Sequence, residues 1–300
     1  MQFENLFLGA AFLFFGLAVP TRRGRRRVLN RNTLFGFAAI SLLFCFYIKL
    51  QLKILSPLMK RKTFVLAGQS NMAGRGGIVR KIDVKKVWDP NVLTPKEKQL
   101  TIPDGQVTRL TADLKWVPAV EPLHKDIDYN KSCGIGPGLV FARKLGEPVR
   151  LIPCAIGGTK ISEWSRTGNL YTNMLKRIHF AGEEVEALLW YQGESDSIIL
   201  EDALSYKFKL EEFIRNVRND LSPNILIIMV AIWTPKREVL PHNEHVRAAI
   251  FEVAKRDSRI KVVDVKGSSF LDDNLHLTSD SQFKLGDEMY MAYQNSLLQG

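Results

Sequence analysis

Five short runs of apolar and β-branched residues constrain this chain more than any other feature: TFVLAG (63–68), VRLIPCAI (149–156), ALLWYQG (187–193), ILIIMVAIW (225–233) and IKVVDV (260–265). None alternates polar with apolar, as a strand with one wet face would. Each therefore suits a strand covered on both faces, the setting of a parallel sheet. Between them stand helix-spaced patterns at 139–145, 204–221, 242–256 and 280–298. In YKFKLEEFIRNV the apolar residues Phe208, Leu210, Phe213, Ile214 and Val217 recur at the spacing of one helix face. Alternation of this kind predicts a doubly wound, three-layer α/β/α sandwich with a parallel sheet and crossover helices on both faces. The stretch 78–133 has no clean period and several prolines and charges, so it is expected to be a long insertion after the first strand, a place where substrate contacts are often carried.

The formal net charge of +11 would suggest a nucleic-acid partner if it were spread over the fold, but it is not. Residues 1–62 hold 11 Lys or Arg against the single acid Glu4, which leaves +1 for everything after them. A nearly neutral domain gives nucleic-acid binding no electrostatic argument, since neutralising phosphates needs a basic surface, and no nucleic-acid partner is expected. Residues 1–60 are expected instead to be a membrane anchor with an Arg-rich linker, ahead of a globular domain at 61–300. Two uncharged runs, 5–21 and 33–48, flank the cluster Arg22 to Arg27. One signal anchor at about 34–54, two spans, or a cleaved leader plus an anchor all fit. With one span or two, the arginines stay cytosolic and the domain lies on the lumenal or extracellular side. Cys45 falls in the apolar segment, and Cys133 and Cys154 could pair or remain buried thiols. No CxxC or His-rich spacing suggests a metal, and no cofactor is expected.

In an open α/β sheet, ligands bind outside the carboxyl ends of the strands. There this sequence puts its unusual polar residues: GQSNM, IGGTKISEW, WYQGESD and LDDNLHLT follow four of the strands. They supply Ser70, the Gly157-Gly158 turn, Gln192, and Asp273 three residues before His276. A serine hydroxyl needs an imidazole to take its proton, and a carboxylate to fix that imidazole's tautomer. A tetrahedral intermediate then needs donors aimed at its oxyanion; the Ser70 and Gly158 N–H groups and the Gln192 amide are the candidates.

Taken in order, LAGQSNMAG, CGIGPG, IPCAIGGTKISEW, WYQGESD and DNLHLT closely resemble the plant carbohydrate esterases of the SGNH hydrolase superfamily, which share a domain with sialate O-acetylesterases. The resemblance covers roughly residues 62–298. It implies a flavodoxin-like sandwich and a metal-free serine esterase that removes acetyl groups from a carbohydrate through an acetyl-serine. It also implies Ser70, Asp273 and His276 as the triad, the Gly157-Gly158 turn as the glycine donor and Gln192 as the side-chain donor; Gln69, Asn71, Gly157 and Glu194 are expected to support them. A glycan-binding module that keeps the site without turnover, and an esterase of small non-carbohydrate acyl esters, are the rival expectations.

Each of these residues also has a plainer role to weigh. Ser70 could merely cap a helix starting at Asn71. His124, His179, His242 and His245 are expected at the surface or in packing, and Asp272 as a solvated neighbour. Glu194 is expected to tie the QGES loop by a buried hydrogen bond. Among the aromatic residues Trp190 is expected in the core, and Trp164 is the one expected to contact a sugar.

Overall fold

The computed structural model describes residues 61–79 and 87–298. The stretches on which the membrane anchor is expected, and Cys45 with them, lie outside the described residues. Among those described, no helix is long and apolar enough to cross a membrane.

The strands are β1 (Lys62–Gly68), β2 (Ile78–Val79), β3 (Val87–Trp88), β4 (Val107–Leu110), β5 (Trp116–Pro118), β6 (Val149–Pro153), β7 (Val185–Tyr191), β8 (Leu226–Ala231) and β9 (Ile260–Asp264). The helices are α1 (Ser70–Ala73), α2 (Pro95–Gln99), α3 (Pro137–Lys144), α4 (Asn169–Ala181), α5 (Leu200–Asp220), α6 (Asn243–Lys255) and α7 (Ser279–Leu297). All five apolar runs are strands of one sheet, ordered β5-β4-β6-β1-β7-β8-β9, in which only β5 runs antiparallel to its neighbour. Counted among themselves, β6, β1, β7, β8 and β9 follow the order 2-1-3-4-5 of a flavodoxin-like sheet. The expected insertion supplies β2 to β5, and two of these, β4 and β5, extend the sheet beyond that core.

Burial on both faces explains the unbroken apolar runs. On one face Phe64 of β1 meets Phe141 of α3 and Tyr293 of α7 edge to face, at 4.9 and 5.2 Å between ring centres. On the other, Trp190 of β7 stacks on Phe213 of α5 at 4.2 Å and meets Trp164 edge-on at 5.1 Å. Each such side chain contributes about 1.5–3 kcal/mol by leaving water, and the rings fix how the layers seat. The stripe of α5 runs through Tyr206, Leu210, Phe213, Ile214 and Val217. Phe208 does not belong to it: two residues before Leu210 is nearly the opposite side of a helix, and Phe208 is 68% exposed. Trp164 is corrected too. It is 0% exposed, its indole N–H donates to Thr159 Oγ1, and packing against Trp190 leaves no face for a sugar.

Candidate active site

The strand order reverses at β1, and the polar residues gather at the carboxyl ends of β1 and its two neighbours. Gly68 ends β1 at φ +119°, and a Cβ there would stand 2.1 Å from the Tyr191 carbonyl oxygen of β7. Only glycine lets the two backbones come so close, and the Gln69 N–H then donates to that same carbonyl at 2.8 Å. The chain turns at once into α1, so that Ser70 is its first helical residue; the capping position belongs to Gln69, whose side chain makes no cap bond.

Ser70, 5% exposed, donates from Oγ to His276 Nε2 at 2.9 Å. His276 Nδ1 lies 2.8 Å from Asp273 Oδ2. A carboxylate can only accept, so Nδ1 carries the proton and Nε2 is free to take one. The other oxygen, Asp273 Oδ1, accepts the Leu275 and His276 N–H groups at 3.1 and 3.0 Å, which the chain permits by passing through Asn274 at φ +52°, a conformation asparagine tolerates. Asp272 is exposed.

Asn71, fully buried, joins the two halves of this arrangement. Its amide donates to Glu194 Oε1 at 2.8 Å and to the Leu275 carbonyl at 3.1 Å, and its oxygen accepts the Leu277 N–H at 3.0 Å. One side chain thus grips the residues on either side of His276. Gln69 Oε1 faces the N–H groups of Gly193 and Ser195 at 3.4 and 3.3 Å and so cradles the QGES loop.

The Gly157-Gly158 turn abuts the serine: a Cβ on Gly157 would stand 3.5 Å from Ser70 Cβ. Gly158 has φ +79° with open space around its α-carbon. Neither its N–H nor that of Ser70 donates to any group among the described residues. Gln192 differs from what its residue type suggests. It is fully buried, and its amide nitrogen donates to Asp196 Oδ2 at 2.6 Å and the Thr159 carbonyl at 3.0 Å, while Tyr206 donates to its oxygen at 3.0 Å. Both amide protons are therefore used in holding the loops together, and an oxyanion would have to displace one of these partners.

Burial pushes the Glu194 carboxyl up to about 7, the Asn71 bond opposing it, and raises that of Asp196. His124 is buried rather than at the surface, and desolvation holds it down at about 3. Cys133 and Cys154 are free, buried thiols, pushed up by desolvation to about 12 and about 11. Among the described residues no cluster of three or more His, Cys, Asp or Glu could hold a metal ion.

Two hollows flank the site. One of about 400 Å³ is lined by His276, Arg75, Leu271 and residues 130–132; another of about 310 Å³ is lined by Ile156, Ile127, Tyr129, Leu114 and Leu170. Arg75 forms a buried pair with Asp128 at 2.5 Å. That pair and Tyr129, 76% exposed, have no signal in the sequence beyond an arginine inside a glycine-rich turn and an aromatic residue in an irregular stretch.

Residues 60–295 match the family model of the carbohydrate esterases, sialic acid-specific acetylesterase. A probable carbohydrate esterase of Arabidopsis thaliana is 41% identical over 253 residues, which cover 80% of this chain and 93% of that protein. Its crystal structure is similar to this one with a TM-score of 0.71, over 79% of this chain and 99% of that. The fold is shared with NanS (15% identity, TM-score 0.60, 80% of this chain and 98% of that) and with a carbohydrate acetylesterase from Xanthomonas citri (17% identity, TM-score 0.56, 80% and 57%).

Proposed function

This chain belongs to the carbohydrate esterase, sialic acid-specific acetylesterase family, and we propose that it is a serine esterase removing O-acetyl groups from a carbohydrate. The observation that carries the reading is the relay from Ser70 Oγ to His276 Nε2 at 2.9 Å and from His276 Nδ1 to Asp273 at 2.8 Å. Ser70 Oγ attacks the acetyl carbonyl as His276 takes its proton, and Asp273 stabilises the imidazolium that forms. The oxyanion is met by the N–H groups of Ser70 and Gly158. Gln192 joins them only by exchanging its Thr159 or Asp196 bond for one to the oxyanion. Collapse expels the sugar hydroxyl, which receives the proton from His276 and leaves an acetyl-serine. Water, deprotonated by His276, attacks that ester; acetate leaves and Ser70 regains its proton. Asn71, Gln69, Gly157 and Glu194 hold the parts in register.

The test is hydrolysis of 4-nitrophenyl acetate by the full-length chain. Ser70→Ala is expected to abolish it, and a variant that keeps the wild-type rate would end the assignment. We further read residues 1–60 as a membrane anchor, from the uncharged runs and the Arg cluster, which puts the esterase domain on the lumenal or extracellular side.

A further inference from the structure

The two hollows beside Ser70 share one loop. Ile127 and Tyr129 face the hollow of about 310 Å³, while Asn130, Lys131 and Ser132 face the one that holds His276. Between them Asp128 turns inward to Arg75. What ties the smaller hollow to the reacting atoms is Asp128, set between Ile127 and Tyr129 of its wall: a Cβ on Gly157 would stand 3.0 Å from Asp128 Oδ2 and 3.5 Å from Ser70 Cβ. Leu114, in the β4–β5 turn, and Leu170 and Asn173 of α4 also line the hollow. A doubly wound sheet is complete without β4 and β5, so this wall is more than the relay requires.

Its chemistry suits a sugar ring. Its lining combines aliphatic side chains, Leu114, Ile127, Ile156 and Leu170, with the Asn173 amide and the exposed Tyr129 ring. A pyranose has the same division, C–H faces that pack on apolar or aromatic surface and hydroxyls around the edge. The volume lies at the lower end of the range of about 300–1,000 Å³ typical of small-ligand pockets.

Charge narrows the class. Both guanidiniums that line the hollows are held: Arg75 by Asp128 and the Gly74 carbonyl, and Arg177 through its two Nη atoms by the Thr111 and Leu110 carbonyls, its Nε being buried and without a partner among the described residues. Asp126 is likewise held, by Arg109 and the Ala112 N–H. A sugar carboxylate would meet only Lys131 and Lys176, exposed ammonium groups rather than the bidentate fork that recognises carboxylates.

We propose that the smaller hollow is a second sugar subsite, and that the substrate is an O-acetylated neutral oligosaccharide whose chain crosses the 126–132 loop. The acetylated unit lies at Ser70 and a neighbouring unit lies in the hollow. This rests on the esterase reading of the same site.

The test compares acetate release by the full-length chain from acetylated xylose, from acetylated xylohexaose and from an O-acetylated sialic acid. Wild type is expected to favour the hexamer over the monomer by about tenfold or more in kcat/KM per acetyl group, with the sialic acid poorest. Tyr129→Ala and Asn173→Ala are each expected to bring the hexamer-to-monomer ratio toward one. A wild-type ratio near one, a ratio that neither variant moves, or a preference for the sialic acid overturns the proposal. Calorimetric titration of Ser70→Ala with unacetylated xylohexaose reads the hollow without turnover. Saturable binding that Tyr129→Ala weakens supports the subsite, and no binding refutes it. If no ester is hydrolysed at all, the esterase reading falls and this titration alone decides the subsite.

Discussion

Replacing Glu194 by Gln is expected to stabilise the protein at pH 8 relative to its effect at pH 5. Glu194 is 2% exposed; Oε1 takes the Asn71 amide proton at 2.8 Å and Oε2 has no partner among the described residues. Desolvation therefore favours the neutral acid and pushes its pKa from 4.5 to about 7. A folded-state value above the unfolded one means that Glu194 contributes stability in full below pH 4.5 and loses it as the pH rises through 7. The interval is worth about 3 kcal/mol, most of it between pH 5 and 8. Gln has the same shape, still offers Oε1 to Asn71 and does not titrate. Urea unfolding of both full-length proteins at the two pH values measures the effect, because any fixed cost of the substitution cancels. Glu121, pushed up to about 8, and His124, held down at about 3, are present in both proteins and cancel as well. The advantage of Glu194→Gln is expected to grow by about 2–3 kcal/mol from pH 5 to pH 8, or roughly 5–10 °C in Tm for a domain of this size. An advantage equal at both pH values would show that Glu194 is charged in the folded protein at pH 5, and would refute the burial argument.

The other predictions concern the relay and the membrane. Asp273→Asn keeps an acceptor for the Leu275 and His276 N–H groups but turns an NH₂ toward Nδ1, which forces the wrong imidazole tautomer. With 4-nitrophenyl acetate kcat is expected to fall by about 10⁴-fold at little change in KM, and a loss smaller than tenfold would remove Asp273 from the mechanism. In sealed microsomes the esterase domain is expected to survive added protease until detergent is present; digestion without detergent would reverse the assigned side.

The core strands were legible because burial on both faces leaves an unbroken apolar run, and their residues could hardly be mistaken. β4 was not, because Arg109 stands within it, 4% exposed and held by Asp126 and the Leu123 carbonyl, and a buried guanidinium erases the apolar signal. Ser70, Asp273 and His276 could be picked out by type and spacing, yet their meeting depends on how strand exits line up along the sheet. Gln192 shows the limit of that approach. As a residue type it fits an oxyanion donor, but its actual partners are Asp196, four residues on, and Thr159, on a different loop. Trp164 proved to be core, at 0% exposed, because a lone aromatic residue in sequence carries no sign of which way it faces.

Ser70 and His276 stand 206 residues apart, bridged by a single asparagine. On a ribosome adding about 5–20 residues per second, the hydroxyl emerges some 10–40 s before the base that can activate it. Throughout that interval the nascent chain carries an ordinary, unreactive alcohol, and chemistry begins only when the last strand and helix dock.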